Sequence, residues 1–393
     1  MKASLFYLPG VGTREDVEAG MAGLRRDLYQ DMLANVSAEA RLADELGYDS
    51  ISFTEHHFHV EGFELSNNPV LLDLYIAMQT RNIRVGQLGI VLPAQNPVRV
   101  AEDIAMLDHM SGGRANAGFA RGYQRRWVDT MAQHMHGIHG ATPGEHDAID
   151  QANRQAFEEH FRIVKEAWTN DMLSTKGSYW QFPVEGTPWD VEATRKWGGG
   201  VDENGIVREV GVVPKPLQQP HPPIFQPFAA SENTLRWCAR EGVTAILPPM
   251  RVSLQNYLYD VYHDEANQHG RGLEPGQGLA VLRDVIITDT DDEAADRRHH
   301  GAAFCGAAWF APFRFGEVLR EPGADRGPSP DEMRENGMLL VGTVDTVTRQ
   351  LERLLSDTPV EWVFAWMYNG LVPHEVNMKS IERFKNQVLP RFQ

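Results

Sequence analysis

Three ionisable residues in a row, Glu55-His56-His57, follow the short apolar run Ser50-Ile51-Ser52-Phe53-Thr54. A helical pattern closed by Gly47 precedes this run, and a polar, glycine-containing stretch, 58–68, follows it. The run therefore reads as a buried strand that delivers three titratable groups at its C-terminal end. Taking such groups out of water costs free energy, so they need hydrogen-bond partners or a chemical task. Histidine exchanges a proton near neutral pH and carboxylates work beside it, so acid–base chemistry is open to this cluster. A buried polar network would account for the same residues, and so would one wall of a metal site.

Two further segments carry residues that suit an anion. Arg121 stands beside Gly122 at the end of an apolar run, where one guanidinium would fit a phosphate or carboxylate, or a surface ion pair. Ser231 opens a helical pattern after the run Phe225-Gln226-Pro227-Phe228-Ala229-Ala230, and a helix N-terminus with a hydroxyl attracts anions. A plain N-cap explains Ser231 equally well. Together the two could hold one phosphate. The segment 84–92 contains Gly86 and Gly89, and two glycines in one strand imply a bulge or a close approach of its backbone to something flat.

The elements that must position these groups alternate along the chain. Strand patterns fall at 4–8, 50–54, 84–92, 114–120, 223–228, 244–247, 279–288 and 360–367. Helical patterns fall at 36–46, 70–80, 97–110, 151–168, 232–241, 254–270, 291–304, 344–356 and 374–389. Eight strands interleaved with helices predict an α/β fold, a (β/α)8 TIM barrel, with catalytic residues at the C-terminal strand ends. One domain is expected over 1–393, with long insertions at the C-terminal face of the barrel near 122–150, 169–222 and 307–337. These hold Trp127, Tyr179, Trp180, Trp189, Trp197, Trp309, Phe310 and Phe313, an aromatic density that suggests packing over a pocket mouth.

Bulk properties narrow the function class. Formal net charge is -17 with no basic run, which argues against a nucleic-acid partner. Only Cys238 and Cys305 are present, so no disulfide framework is expected and a cytoplasmic location fits. The N-terminus lacks a signal-peptide pattern, and no window has the ~18 apolar residues of a membrane span. No GxGxxG follows a strand, so no nicotinamide site is expected.

Taken together, these segments resemble the bacterial luciferase-like flavin monooxygenase family. The resemblance rests on Glu55-His56-His57, on Val91-Leu92-Pro93 with Asn96-Pro97 and Ala101-Glu102-Asp103, and on Leu107-Asp108-His109-Met110-Ser111-Gly112-Gly113-Arg114. Ala120-Arg121-Gly122-Tyr123, Ala230-Ser231 before Trp237, Arg283-Asp284-Val285 and Val341-Gly342-Thr343 extend it over most of the chain. It implies a TIM barrel using reduced FMN (FMNH2) and dioxygen, with one oxygen atom passing to a small hydrophobic or aromatic substrate through a flavin C4a-(hydro)peroxide. A separate NAD(P)H:flavin reductase would supply the reduced flavin, and a homodimer is expected.

Residue by residue, the resemblance makes His56 the catalytic group, with Glu55 and His57 in support. It gives Arg121 and Ser231 the phosphate, and it places a cis peptide at Leu88-Gly89 under the flavin ring. Ala120 and Ala230 stand where the luciferases have a cysteine and a glutamate, which argues against light emission. Three rivals are weighed beside this reading. A deazaflavin F420-dependent hydride-transfer enzyme shares the fold, and a flavin-storage protein would need no catalytic group. A metal-dependent hydrolase could draw on His57 and His59, or on His134, His136, His139 and His146.

Overall fold

The computed structural model describes residues 1–135, 137–142, 148–368 and 370–392. The chain divides into two compact units. Met1–Ile90, Asn116–Phe119 and Ile224–Gln393 form one, and Val91–Ala115 with Ala120–Pro223 form the other.

The first unit carries the barrel. Its strands are β1 (Lys2–Tyr7), β2 (Ser50–Phe53), β3 (Arg84–Gln87), β4 (Ala115–Ala120, through its residues 116–119), β5 (Ile224–Gln226), β6 (Thr244–Leu247), β7 (Leu279–Ile287) and β8 (Trp362–Met367). Each pairs with the next in sequence and β8 pairs with β1, so the ladder closes on itself and leaves no barrel edge. This is the eight-stranded parallel barrel expected from the alternation of patterns. A short additional strand, Leu340–Gly342, runs parallel to β7.

Register fixes which side chains fill the barrel. Phe6 pairs with Ser52 on one side and Trp366 on the other, and Ser52 pairs with Gly86. Phe225 meets Trp362 and Phe364 edge-on at 5.2 and 6.0 Å, and because β5 and β8 are not neighbours this contact runs through the interior. Alternation then places Ser4, Phe6, Ser50, Ser52, Phe364 and Trp366 inward. The interior is lopsided, with small residues on β2 and β3 and large aromatics on β8.

Local signals explain most element boundaries. The helix Arg26–Leu46 starts ten residues before the expected 36, because Leu28, Met32, Val36, Ala40 and Ala43 continue one buried stripe. It ends at Gly47, which takes a left-handed φ of 75°. Asn96 caps the helix Pro97–Met110, accepting from the amides of Val98 and Arg99. The expected strand 84–92 is interrupted after Gln87 and resumes at Ile90–Val91, with a cis Leu88–Gly89 peptide between. Its glycines answer to the next strand. A Cβ on Gly86 would lie 2.7 Å from Asn116 Cβ, and one on Gly89 2.7 Å from the Phe119 amide nitrogen. The helix expected over 291–304 is α-helical at Asp291–Arg298 and continues as π-helical turns at His299–Ala303 and Gly306–Phe310.

The second unit is built on two helices, Pro97–Met110 and Ala148–Thr169, joined where the Trp168 indole donates to the Ala101 carbonyl at 2.9 Å. The insertion 169–222 forms a hairpin, Thr175–Lys176 with Gln181–Phe182, and a short helix, Glu192–Trp197. Glu159 accepts the amides of Ser178, Tyr179 and Trp180 and anchors the hairpin. Trp127 is buried against Val91, Ala94 and Val128. The aromatics of this insertion do not all pack as expected: Trp189 is 50% exposed and Trp197 78%.

Candidate active site

The strand end after β2 is shaped by backbone bonds on both sides. The His56 amide donates to Ser66 O at 2.9 Å, the Leu65 amide donates to Pro9 O at 2.7 Å, and the Ser66 hydroxyl bonds the Thr54 carbonyl. The polar stretch after Glu55-His56-His57 is thereby folded back over the strand end. That fold delivers Glu64 to His56, a meeting that the sequence did not announce.

Glu64 is fully buried, and three nitrogens surround its carboxylate. His56 Nε2 lies 3.2 Å from Oε1, His59 Nε2 lies 3.2 Å from Oε2, and the Trp309 indole Nε1 donates to Oε2 at 2.7 Å. The His59 ring packs edge-on to His56 at 5.4 Å and to Trp309 at 4.8 Å. Trp309 also stacks on Phe63 at 5.5 Å. Glu55 has a different neighbour, since its Oε1 lies 3.1 Å from His57 Nε2. Burial holds the His56 imidazole well below its ordinary pKa, with His59 and His57 adding to the effect. This direction favours the uncharged imidazole.

An aromatic wall stands at the C-terminal strand ends. Phe6, Phe228 and Trp366 form a mutual set with centroids 5.4–5.9 Å apart, and Phe310 and Phe315 extend it. Phe228 holds a positive φ of 52°, rare for an aromatic residue, directly after β5. Asp284 pairs in register with Trp366 and so faces inward; it accepts from the Tyr368 hydroxyl at 2.9 Å and lies 3.1 Å from Arg298 Nε. Burial, and then Asp284, push the Tyr368 hydroxyl well above its usual pKa. Two charged residues inside the apolar run 279–287, Arg283 and Asp284, were the sequence signal for this second cluster. Arg283 points the other way, to Gly337 O and Gln255.

Among the described residues, the buried polar atoms without a hydrogen-bond partner at these strand ends include Thr54 Oγ1 after β2, Gln87 Oε1 on β3, Gln226 Oε1 on β5 and Trp366 Nε1 on β8. Buried donors and acceptors are normally paired, so a polar ring system seated here would complete them. An isoalloxazine offers carbonyl and nitrogen acceptors of that kind, so the residues present fit a flavin. The cis Leu88–Gly89 peptide adjoins the same strand end, with the Leu88 amide donating to Phe53 O at 2.7 Å.

The remaining sequence candidates have local roles. Ser231 caps the helix Glu232–Glu241 through the Thr234 amide, and Ala230 immediately precedes it. In the second unit, Ala120 ends its strand and Arg121 pairs with Asp150 Oδ1 at 2.7 Å. Among the histidines of the insertion, His139 pairs with Asp129, His134 contacts the Met131 carbonyl, and His136 and His146 lie outside the described residues. Among the described residues, the side chains spaced to hold a metal ion are His56, His59 and Glu64.

Residues 1–361 match the family model of the luciferase-like monooxygenases, and the chain belongs to that family. It is accordingly an oxidoreductase. The oxygenase component of flavin-dependent trigonelline monooxygenase from Acinetobacter baylyi (strain ATCC 33305 / BD413 / ADP1) is 24% identical over 382 residues, 94% of this chain and 91% of that one. A type II Baeyer–Villiger monooxygenase, the oxygenating constituent of 3,6-diketocamphane monooxygenase from Pseudomonas putida in complex with FMN, superimposes with a TM-score of 0.74. It is 23% identical, with 100% of this chain and 98% of that one covered. The coenzyme F420-dependent tetrahydromethanopterin reductase of Methanopyrus kandleri shares the fold with a TM-score of 0.62 and 15% identity, over 100% of this chain and 99% of that one. No helix of the described residues is long and apolar enough to cross a membrane.

Proposed function

We propose that the chain is the oxygenase component of a two-component system, receiving reduced FMN from a separate NAD(P)H:flavin reductase. One oxygen atom of dioxygen passes to a small hydrophobic or aromatic organic substrate. The observation that carries this reading is a buried His56 at the barrel's C-terminal strand ends, the end that also carries an aromatic wall. The trigonelline relative, itself named as an oxygenase component, supports the division of labour.

Reduced flavin, when bound, supplies the electrons that activate dioxygen. The chain's own residues have three tasks. Leu88, Gly89, Ala120, Arg121, Ala230 and Ser231 would hold FMN, with Ser231 at a helix N-terminus and Arg121 suited to the phosphate. Phe6, Phe228, Phe310 and Trp366 exclude water, which would otherwise divert the reaction to hydrogen peroxide. His56 holds or accepts a proton at its imidazole, and the neutral form is the one able to accept. The wall's aromatic character favours an apolar or aromatic substrate.

Homodimerisation belongs to the same proposal. The helix Pro69–Ala77 and its C-cap expose Leu71, Tyr75 and Met78 at i, i+4, i+7 spacing, an apolar stripe that a second copy would cover.

The direct experiment supplies FMN, a flavin reductase and NADH to the purified protein with panels of ketones, aldehydes and aromatic N-heterocycles under 18O2. One labelled oxygen per product supports the reading. Turnover with reduced F420 and none with reduced FMN overturns it.

A further inference from the structure

We propose that Glu64 is the positioning residue of this site: one carboxylate oxygen fixes His56 as the Nε2–H tautomer, and the other ties the His56 loop to Trp309 of the segment 299–319. The role rests on the oxygenase reading, in which His56 handles the proton.

The argument starts from donor and acceptor counts. An ionised carboxylate only accepts, and an indole N–H only donates. Three nitrogens converge on Glu64, at 3.2, 3.2 and 2.7 Å. The Trp309 indole is one N–H donor, and the proposed tautomers put N–H donors on the two histidine nitrogens as well, which gives a fully buried carboxylate the charge-assisted bonds that burial demands. His56 then carries its hydrogen on Nε2, and its Nδ1 holds the lone pair. A neutral imidazole with a fixed tautomer presents one basic atom in one direction, which is what a proton acceptor beside a reacting oxygen needs.

Hydrogen bonds of the two residues that follow it hold Glu64 in place. Leu65 is tied to Pro9, and Ser66 to Thr54 and His56. The third donor comes from elsewhere in the chain. Trp309 rides on the π-helical turn Gly306–Phe310, and π-helical turns concentrate at functional sites. The upstream turn is seated closely, since a Cβ on Gly301 would lie 2.6 Å from Val372 Cγ2 and 2.7 Å from Leu371 O. Around the imidazole stand His57 with Glu55 on the strand end and His59 on the loop. Burial pushes the Cys305 thiol up, with Glu64 and Asp284 adding to the effect, and Asp284 carries Tyr368 and Arg298.

The test compares wild type with Glu64→Gln and Trp309→Phe, each with FMN bound and each checked for folding by its thermal transition. Nitrogen NMR of 15N-histidine-labelled protein, with His56→Ala for assignment, reads the tautomer without turnover. Wild-type His56 is expected as neutral Nε2–H at pH 7. Glu64→Gln offers an amide that both donates and accepts, so the Nδ1–H form should appear. Oxygenation coupling should fall roughly tenfold or more with FMN affinity nearly unchanged, and its pH profile should shift, as when an orienting carboxylate is neutralised beside a catalytic histidine. A charged or Nδ1–H His56 in wild type, or an unchanged tautomer in Glu64→Gln, overturns the role. So does a stoichiometric metal ion on His56, His59 and Glu64 that chelation or Glu64→Gln removes. Failure of FMN-dependent turnover in wild type with the expected NMR result strikes the oxygenase reading alone.

Discussion

The Trp309 indole donates to Glu64 Oε2 at 2.7 Å, although 245 residues separate the two in the chain. One carboxylate thus connects the insertion after β7 to the histidine loop after β2. The fold brings them together because both segments lie at C-terminal ends of barrel strands.

Trp309→Phe keeps a six-membered aromatic ring to pack on Phe63 and removes the indole N–H together with the five-membered half of the ring system. A buried carboxylate would lose one of three donors, at a cost of about 1–3 kcal/mol. The thermal transition should fall accordingly, and hydrogen peroxide released per NADH consumed should rise. An unchanged transition and unchanged coupling would show that this bond contributes nothing.

His56→Ala should leave flavin binding intact while coupled oxygenation falls about 100-fold or more, the typical contribution of a positioned acid–base group. Flavin fluorescence titration and peroxide assay measure the two effects separately. Equal coupling in the variant would remove His56 from the chemistry.

Arg121 bears on the cofactor's phosphate. Arg121→Ala should weaken FMN by about 10–100-fold, the scale of a lost charge-assisted bond, and riboflavin by twofold or less. Asp150→Asn removes the carboxylate that pairs with this guanidinium and should strengthen FMN binding. Equal losses for FMN and riboflavin would point to a structural role for Arg121.

Trp366→Phe tests the indole that lacks a partner. Relief of the unsatisfied buried donor, worth about 1–3 kcal/mol, offsets the cost of the lost ring volume, so the ligand-free protein should change little in stability. The stabilisation gained on adding FMN should shrink. A destabilised ligand-free protein with full FMN stabilisation would argue that the indole only packs.

Asp73 lies on the helix Pro69–Ala77, buried, and accepts from Gln87 Nε2 beside the cis peptide. Burial pushes its carboxyl well above the usual range. The folded state keeps a proton that the unfolded chain releases near pH 4, so this group's stability contribution falls as pH rises from there toward the folded pKa. Asp73→Asn removes that dependence. Its melting temperature should gain on wild type progressively as pH rises from about 4 toward the folded pKa, and a constant difference would contradict the neutral carboxyl.

Much of the barrel was legible because its signals are local. Glu55-His56-His57 sits on an apolar run, Asn96-Pro97 caps a helix, and Gly47 ends one. Glu64 was not legible, because it lies in a polar loop without periodicity and its partner Trp309 is remote in sequence. The glycines of β3 were legible as a close approach, but not as an approach to β4. Trp189 and Trp197 counted as lid aromatics by composition, yet exposure depends on neighbours that a sequence does not name. Arg121 was read as an anion ligand, and its carboxylate partner Asp150 was visible only in three dimensions.

The measurement that bears most directly on the proposed oxygenase is rapid mixing of anaerobically reduced FMN, bound to the protein, with oxygenated buffer while the flavin spectrum is followed. The water-excluding wall and buried His56 should slow return to oxidised FMN well below the rate of free reduced flavin, and His56→Ala should restore fast return with peroxide. Return at the free-flavin rate in wild type, or no binding of reduced FMN alongside turnover with reduced F420, would contradict it.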